Sequence, residues 1–242
     1  MPPAKGALSA GREHRTVRKA GSARKDRNDR MVTPYYRRMY RLLAGLFRRL
    51  YRIRSAGEEN IPAEGGVIFA GNHTALADVF VIAACTNRQV RYMAKAELFR
   101  IPVLRRIIAG LGAFSVERGK NDVGAVRTSI RLLREGDAVG IFPQGTRCPG
   151  IHPDKAKVKP GVALIARKAE VPVVPVLIRT KRMKVSLFRR TEVIFGKPVM
   201  PDELSALAVD EGSYGAMASY IFGKIAELDC KEWQTKRPDC RM

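Results

Sequence analysis

At 242 residues the chain is long enough to bury a core without disulfides or metal, and its formal charge of +22 marks it for a polyanionic partner, either nucleic acid or an anionic membrane surface. Its longest apolar runs, "LLAGLF" (42–47) and "VPVVPVLI" (171–178), fall far short of the roughly 20 residues a spanning helix needs, which excludes a single-helix crossing. Cys85, Cys148, Cys230 and Cys240 form no CxxC pair and no secretory leader is recognisable, so a reducing cytoplasm without export is expected.

The charge is uneven. Residues 1–54 hold 16 Lys or Arg against 3 Asp or Glu, a balance of +13, which leaves +9 for the remaining 188 residues. Residues 1–30 are polar, basic and poor in large apolar side chains, and are expected to form a disordered tail. Residues 31–54 contain "YYRRMYRLLAGLFRRLYRIR", in which seven arginines and no acid interleave with Tyr36, Tyr40, Leu43, Phe47, Leu50 and Tyr51 on one helical face. Such a basic amphipathic helix suits a membrane interface; a helix packed on the domain with solvated arginines is the alternative.

From residue 55 to 242 strands and helices alternate. "GVIFAGNH" reads as a buried strand running into a loop, "ALADVFVIAAC" as a helix, "QVRYMAK" as a strand, and "AELF" and "PVLRRIIAGL" as short helices. "GAFSVER" follows as a strand, then the amphipathic helix "DVGAVRTSIRLLREG" ended by Gly136, and the strand "DAVGIFPQG" with its Gly/Pro stop. "VKPGVALIARKAE" is a helix. "VPVVPVLI" is a strand that its prolines assign to a sheet edge or a chain bend, and "TEVIFG" is the last strand. The closing "GSYGAMASYIFGKIAEL" is helical, with Tyr214, Met217, Ile221 and Leu228 on one side. The alternation implies an α/β sheet whose ligands gather beyond the strand ends.

His73 lies where "GVIFAGN" stops, and Asp78 lies in the first turn of the next helix. Residues five apart meet only if the chain turns between them, which a strand-loop-helix junction allows. Together they would form a general base: Asp78 accepts from Nδ1, leaving Nε2 to take a hydroxyl proton. The spacing alone equally fits an aspartate that merely caps a helix. "FPQGTR" (142–147) presents Arg147, a donor fork suited to phosphate, in what is otherwise an ordinary turn; "GAFSVERGK" (112–120) ends in Glu117 and Arg118. Cys148 and His152 stand close together, but no second ligand pair has a zinc spacing, so no metal is expected.

As an ordered set, NHxxxxD at 72–78, GxxxxxR at 112–118, FPxGTR at 142–147 and VPVVPV at 171–176 resemble the four blocks of the glycerolipid acyltransferase family. The resemblance runs from about Ile61 to Lys197. It implies a mixed sheet flanked by helices, with His73 and Asp78 as the catalytic dyad of an acyl transfer. Arg118 and Arg147 would then hold the acceptor phosphate, with Gly145 and Thr146 shaping its pocket and Asn72, Glu117, Gln144 and Lys95 in support. The implied reaction carries an acyl group from a coenzyme A or acyl-carrier-protein thioester to the 2-hydroxyl of lysophosphatidic acid, without a cofactor, at the cytoplasmic face of the cell membrane as a peripheral protein. Glycerol-3-phosphate or another lysolipid is the alternative acceptor. Ala75, Glu117 and Gln144 depart from the family's usual Ser, Asp and Glu, and the last of these opens the possibility of a lipid-binding pseudoenzyme. Nucleic acid is not expected as partner, because no zinc finger or RNP-like motif accompanies the charge.

Overall fold

The computed structural model describes residues 34–116, 123–207 and 213–229, with side chains left out at 34–41, 104, 107 and 110. The basic tail assigned to 1–30 lies outside them. The elements run α1 (Pro34–Leu50), β1 (Ile53–Ala56), β2 (Val67–Gly71), α2 (Asp78–Ala83), β3 (Val90–Lys95), a 3-10 turn (Ala96–Arg100), α3 (Pro102–Gly110), β4 (Phe114–Val116) and α4 (Val123–Arg134). They continue through β5 (Ala138–Ile141), α5 (Gly161–Ala169), β6 (Val173–Arg179), β7 (Thr191–Phe195), α6 (Pro201–Ala206) and α7 (Tyr214–Glu227).

Among the described residues, seven strands form one mixed sheet in the order β1-β7-β6-β2-β5-β3-β4. Five of them, β6, β2, β5, β3 and β4, are parallel, and β7 joins β6 antiparallel while carrying β1 alongside. All five residues of β2 are buried, as a central parallel strand covered on both faces requires. Its even-numbered side chains, Ile68 and Ala70, pack with Leu133, Val162, Ala166 and Ile221 of α4, α5 and α7. Val67 and Phe69 pack on the other face with Val81, Ile82, Val176 and Phe195. On the predicted side of α7, Met217 and Ile221 are buried and Tyr214 half-buried, with Leu228, just past its end, half-buried as well.

One expectation is corrected, and two others take a definite form. The strand "VPVVPVLI" is neither an edge nor a bend: β6 lies between β2 and β7. In a strand, a residue's N–H and C=O point the same way, and the carbonyl of Pro175 accepts from Gly196 N–H on the β7 side. The missing N–H of Pro175 therefore costs only the second bond of its pair with Gly196, at the end of the β7 ladder beside Val176↔Phe195, and none of the bonds to β2. Second, the boundary between residues 54 and 55 cuts β1, which pairs with β7 from Ile53↔Thr191 to Ala56↔Ile194. Third, the stripe of α1 expected at a membrane turns partly inward. Leu43, Phe47 and Leu50 are half-buried, Phe47 stacks on Phe80 of α2 with ring centroids 5.0 Å apart, and Arg48 Nε donates to the carbonyl of Ala84. Among its described side chains, the large apolar ones left outward are Leu42 and Leu46, 77% and 49% exposed. Among the described residues no helix is long and apolar enough to cross a membrane.

Candidate active site

Because the five central strands are parallel, their carboxyl ends share one rim, and the loops leaving β2 and β5 meet there. The first begins with Asn72, which is buried and acts as a piece of backbone: its Nδ2 donates to the carbonyl of Ile178 at 3.0 Å and its Oδ1 accepts from Ile178 N–H at 2.7 Å. The β2–β6 ladder ends at Gly71↔Val176, so the Asn72 amide extends it by one bonded pair while freeing the main chain to turn.

That turn brings His73 and Asp78 together. His73 Nδ1 lies 2.8 Å from Asp78 Oδ2, and the carboxylate is 0% exposed. The same oxygen accepts from the backbone N–H groups of Thr74 and Ala75, and Oδ1 accepts from the Thr74 hydroxyl at 3.1 Å. The carboxylate thus reaches back over the loop, while Ala77 is the N-cap of α2 and no side chain caps it. Asp78 therefore does not cap α2, and its carboxylate is spent on the His73 loop. With the Asp78 oxygens accepting, Nδ1 carries the proton and Nε2 keeps its lone pair.

The second loop supports the first. Phe142 stacks on the His73 imidazole at 4.1 Å with planes 13° apart, and Tyr92 stacks behind Phe142 at 6.0 Å. A Cβ at Gly140 would lie 2.0 Å from Tyr92 Cε1, so only glycine leaves room for that ring on the sheet. Gln144 is buried and its Oε1 accepts from His73 N–H at 2.6 Å, while the His73 carbonyl accepts from Cys148 N–H at 2.8 Å. Both backbone polar groups of the base are therefore held by the β5 loop.

Beyond Gln144 the loop turns outward. Gly145 adopts φ 67, in the left-handed region that suits glycine, and a Cβ there would approach Lys159 Cδ to 2.9 Å. Thr146, Arg147 and Lys159 are exposed. The structure thus puts Arg147 on the rim beside the dyad, with Lys159 flanking it. Lys95 ends β3 at the same rim, exposed, and makes no hydrogen bond to the dyad among the described residues. Glu117 and Arg118 lie outside the described residues. Phe142, Thr74 and Lys159 were not singled out from sequence. Two of them lie inside quoted motifs, but stacking and hydrogen bonding leave no mark in spacing.

The segment after Arg147 is pinned by a separate polar cluster. His152 Nδ1 meets Asp154 at 2.6 Å and Nε2 meets Asp229 at 2.9 Å; Asp229 also accepts from Arg179, which pairs with Glu192 across β6 and β7. Burial alone would lower the His152 pKa, but bonds to the two carboxylates leave it raised. Both ring nitrogens are thereby engaged with carboxylates rather than with Cys148. Cys85 is a core residue whose thiol burial pushes up to about 12.

Known proteins resemble this chain in sequence and fold. Residues 52–179 match the family model described as Acyltransferase. The chain is 30% identical over 200 residues to the 1-acyl-sn-glycerol-3-phosphate acyltransferase of Bacillus subtilis, covering 80% of this chain and 98% of that protein. It is 33% identical over 129 residues to the protein of the same name from Borreliella burgdorferi, covering 52% of this chain and 51% of that one. In fold it resembles the crystal structure of the 1-acyl-sn-glycerophosphate (LPA) acyltransferase PlsC from Thermotoga maritima, with a TM-score of 0.57 and 21% identity over 88% of this chain and 98% of that one.

Proposed function

This chain belongs to the acyltransferase family, and from that premise we propose that it transfers a fatty acyl group from a thioester of coenzyme A or acyl-carrier protein to the 2-hydroxyl of 1-acylglycerol-3-phosphate. The products are phosphatidic acid and the free thiol. The observation that carries the reading is the 2.8 Å contact between His73 Nδ1 and a fully buried Asp78 at the carboxyl end of a central parallel strand.

His73 Nε2 takes the proton of the acceptor hydroxyl as its oxygen attacks the thioester carbonyl carbon. Asp78 holds the ring in the needed tautomer and balances the imidazolium, over which the Phe142 ring lies. The tetrahedral intermediate collapses, the carbon–sulfur bond breaks, and the leaving sulfur recovers the proton from Nε2. Arg147 and Lys159, with Arg118, supply the positive charge for the acceptor's phosphate, and Gly145 and Thr146 give it room. No cofactor or metal is assigned a step.

Gln144 supports an active enzyme rather than a pseudoenzyme. What the site asks of this position is an acceptor for His73 N–H, and an amide oxygen supplies it as a carboxylate would. The acceptor resides in a bilayer, and the outward Leu42 and Leu46 of α1, with Arg48 and Arg49, support peripheral binding at the cytoplasmic face of the membrane. The deciding experiment is thiol release from acyl-coenzyme A and from acyl-acyl-carrier protein with a panel comprising lysophosphatidic acid, glycerol-3-phosphate and other lysolipids. Release that depends on lysophosphatidic acid with either donor upholds the reading. Release only with another acceptor replaces the substrate, and no release with any of them removes the activity.

A further inference from the structure

The β6–β7 connection, residues 180–190 "TKRMKVSLFRR", has no part in the chemistry above, yet its composition is unusual. It holds Lys181, Arg182, Lys184, Arg189 and Arg190 with no acid. Arg190 is bound to Glu192 at 2.7 Å, and the other four are exposed. Between them Leu187 and Phe188 are 52% and 68% exposed. Phe188 has φ 59, a backbone region that bulky side chains disfavour and that a solvent-facing turn normally fills with glycine or asparagine. Its N–H donates to the carbonyl of Leu50 at 2.7 Å, so this loop abuts the end of α1. Two segments distant in sequence therefore lie side by side and repeat one pattern, large outward apolar side chains flanked by cations.

The inner side of the same loop reaches the dyad. Val185 is buried, and its N–H donates at 3.2 Å to the Thr74 hydroxyl, which itself donates to Asp78 Oδ1. The carbonyl of Met183 accepts from Gly150 N–H, in the segment that follows Arg147.

We infer that residues 181–189 are a second bilayer-contacting element beside α1. Leu187 and Phe188 enter the interfacial zone of an anionic membrane, and Lys181, Arg182, Lys184 and Arg189 lie among its phosphates. The Val185–Thr74 bond then holds the His73 loop at the level of the acceptor. The inference rests on the acceptor being a lipid. Charge complementarity alone would also fit an acidic protein, but exposed leucines continued onto α1 favour a surface that is apolar beneath an anionic layer.

The test uses the full chain with Trp233→Phe and Phe188→Trp, so that one indole reports on the loop tip. Its emission should shift to the blue on vesicles of phosphatidylcholine with phosphatidylglycerol and be quenched by brominated lipids. Unchanged emission overturns the inference. In co-sedimentation, Leu187→Ser with Phe188→Ser, or Gln at the four cations, should weaken binding to the anionic vesicles by about tenfold or more at low salt. Transfer to acceptor embedded in those vesicles should fall in parallel, while transfer between a monomeric short-chain acceptor and a soluble thioester stays at the parental rate. Parental vesicle binding by both variants overturns the proposal. So does a loss seen only with acyl-carrier protein as donor, which would give the loop to the carrier. The fluorescence and sedimentation need no turnover, so a chain inactive in every assay would sink the acyltransferase reading while these readouts still decide the lipid contact.

Discussion

In the loop from Asn72 to Asp78, nearly every polar group is bonded inward: Asn72 to β6, the His73 main chain to the β5 loop, its ring to Asp78, and the Asp78 carboxylate to three further donors. In the loop from Gly145 to Arg147, Gly145 takes the left-handed conformation and the Thr146 and Arg147 side chains are exposed. The contrast follows from what each loop has to do. A general base must be held in one tautomer and one orientation before substrate arrives, and in a buried network the Asp78 charge acts strongly because little water screens it. On the proposed reading, a phosphate arriving on a lipid headgroup would be caught by long cationic side chains that stay hydrated until it binds. The His73–Asp78 pair is built by the fold, whereas on this reading the grip on the acceptor is completed by the acceptor.

If that division is right, damage to the first loop should fall on kcat and damage to the second on KM. The largest effect should come from His73→Ala, with transfer lowered about 100- to 10,000-fold at unchanged thermal stability. Activity within a few-fold of the parent would break the dyad assignment. Asp78→Asn should approach the same loss and also lower the melting temperature. Its amide leaves one oxygen in place of two and aims N–H groups at the donors of Thr74 and Ala75.

Arg147→Ala should raise KM for the phosphorylated acceptor roughly 10- to 100-fold, the worth of a lost charge-assisted contact, with KM for the thioester little changed. An effect confined to the thioester would transfer Arg147 to the donor's phosphates. At Gln144 the two substitutions should part company. Leu leaves a buried His73 N–H without its acceptor and should lower kcat about tenfold, whereas Glu keeps the acceptor and should stay within about threefold. A large gain with Glu would show that negative charge, and not acceptance alone, is wanted there.

The smallest effect concerns the His152 cluster, outside both loops. With its folded pKa raised above the ordinary value near 6.5, His152 contributes stability that is complete below that value and lost as pH rises through the folded pKa. His152→Asn should remove this descending limb from a plot of melting temperature against pH and leave kcat at acidic pH unchanged. A limb that persists would assign it to another group.

His73, Asp78 and Arg147 stood out through the resemblance of four ordered blocks to the glycerolipid acyltransferase family, while spacing placed them at a strand end, a helix start and a turn, local events that residue order controls. The two-sided burial of β2 and the inward face of α7 were legible for the same reason: periodicity records which side of an element is apolar. It does not record what that side packs against. Leu43, Phe47 and Leu50 form one stripe whether they meet a bilayer or α2, and only the assembled chain places Phe47 on Phe80. The prolines of "VPVVPVLI" argued for an edge because the cost of a missing N–H depends on which neighbour it faces, and that was fixed by where β7 begins pairing. Short β1 carries no pattern of its own and exists as a strand through β7. The Gln144–His73 bond spans 71 residues and the Asn72–Ile178 bond 106. Sequence alone thus determined which residues are candidates for the chemistry and the order in which elements deliver them. Tertiary structure alone decided which partners hold them still, because hydrogen bonds and ring stacking between distant segments depend on register and crossing, which no local pattern encodes.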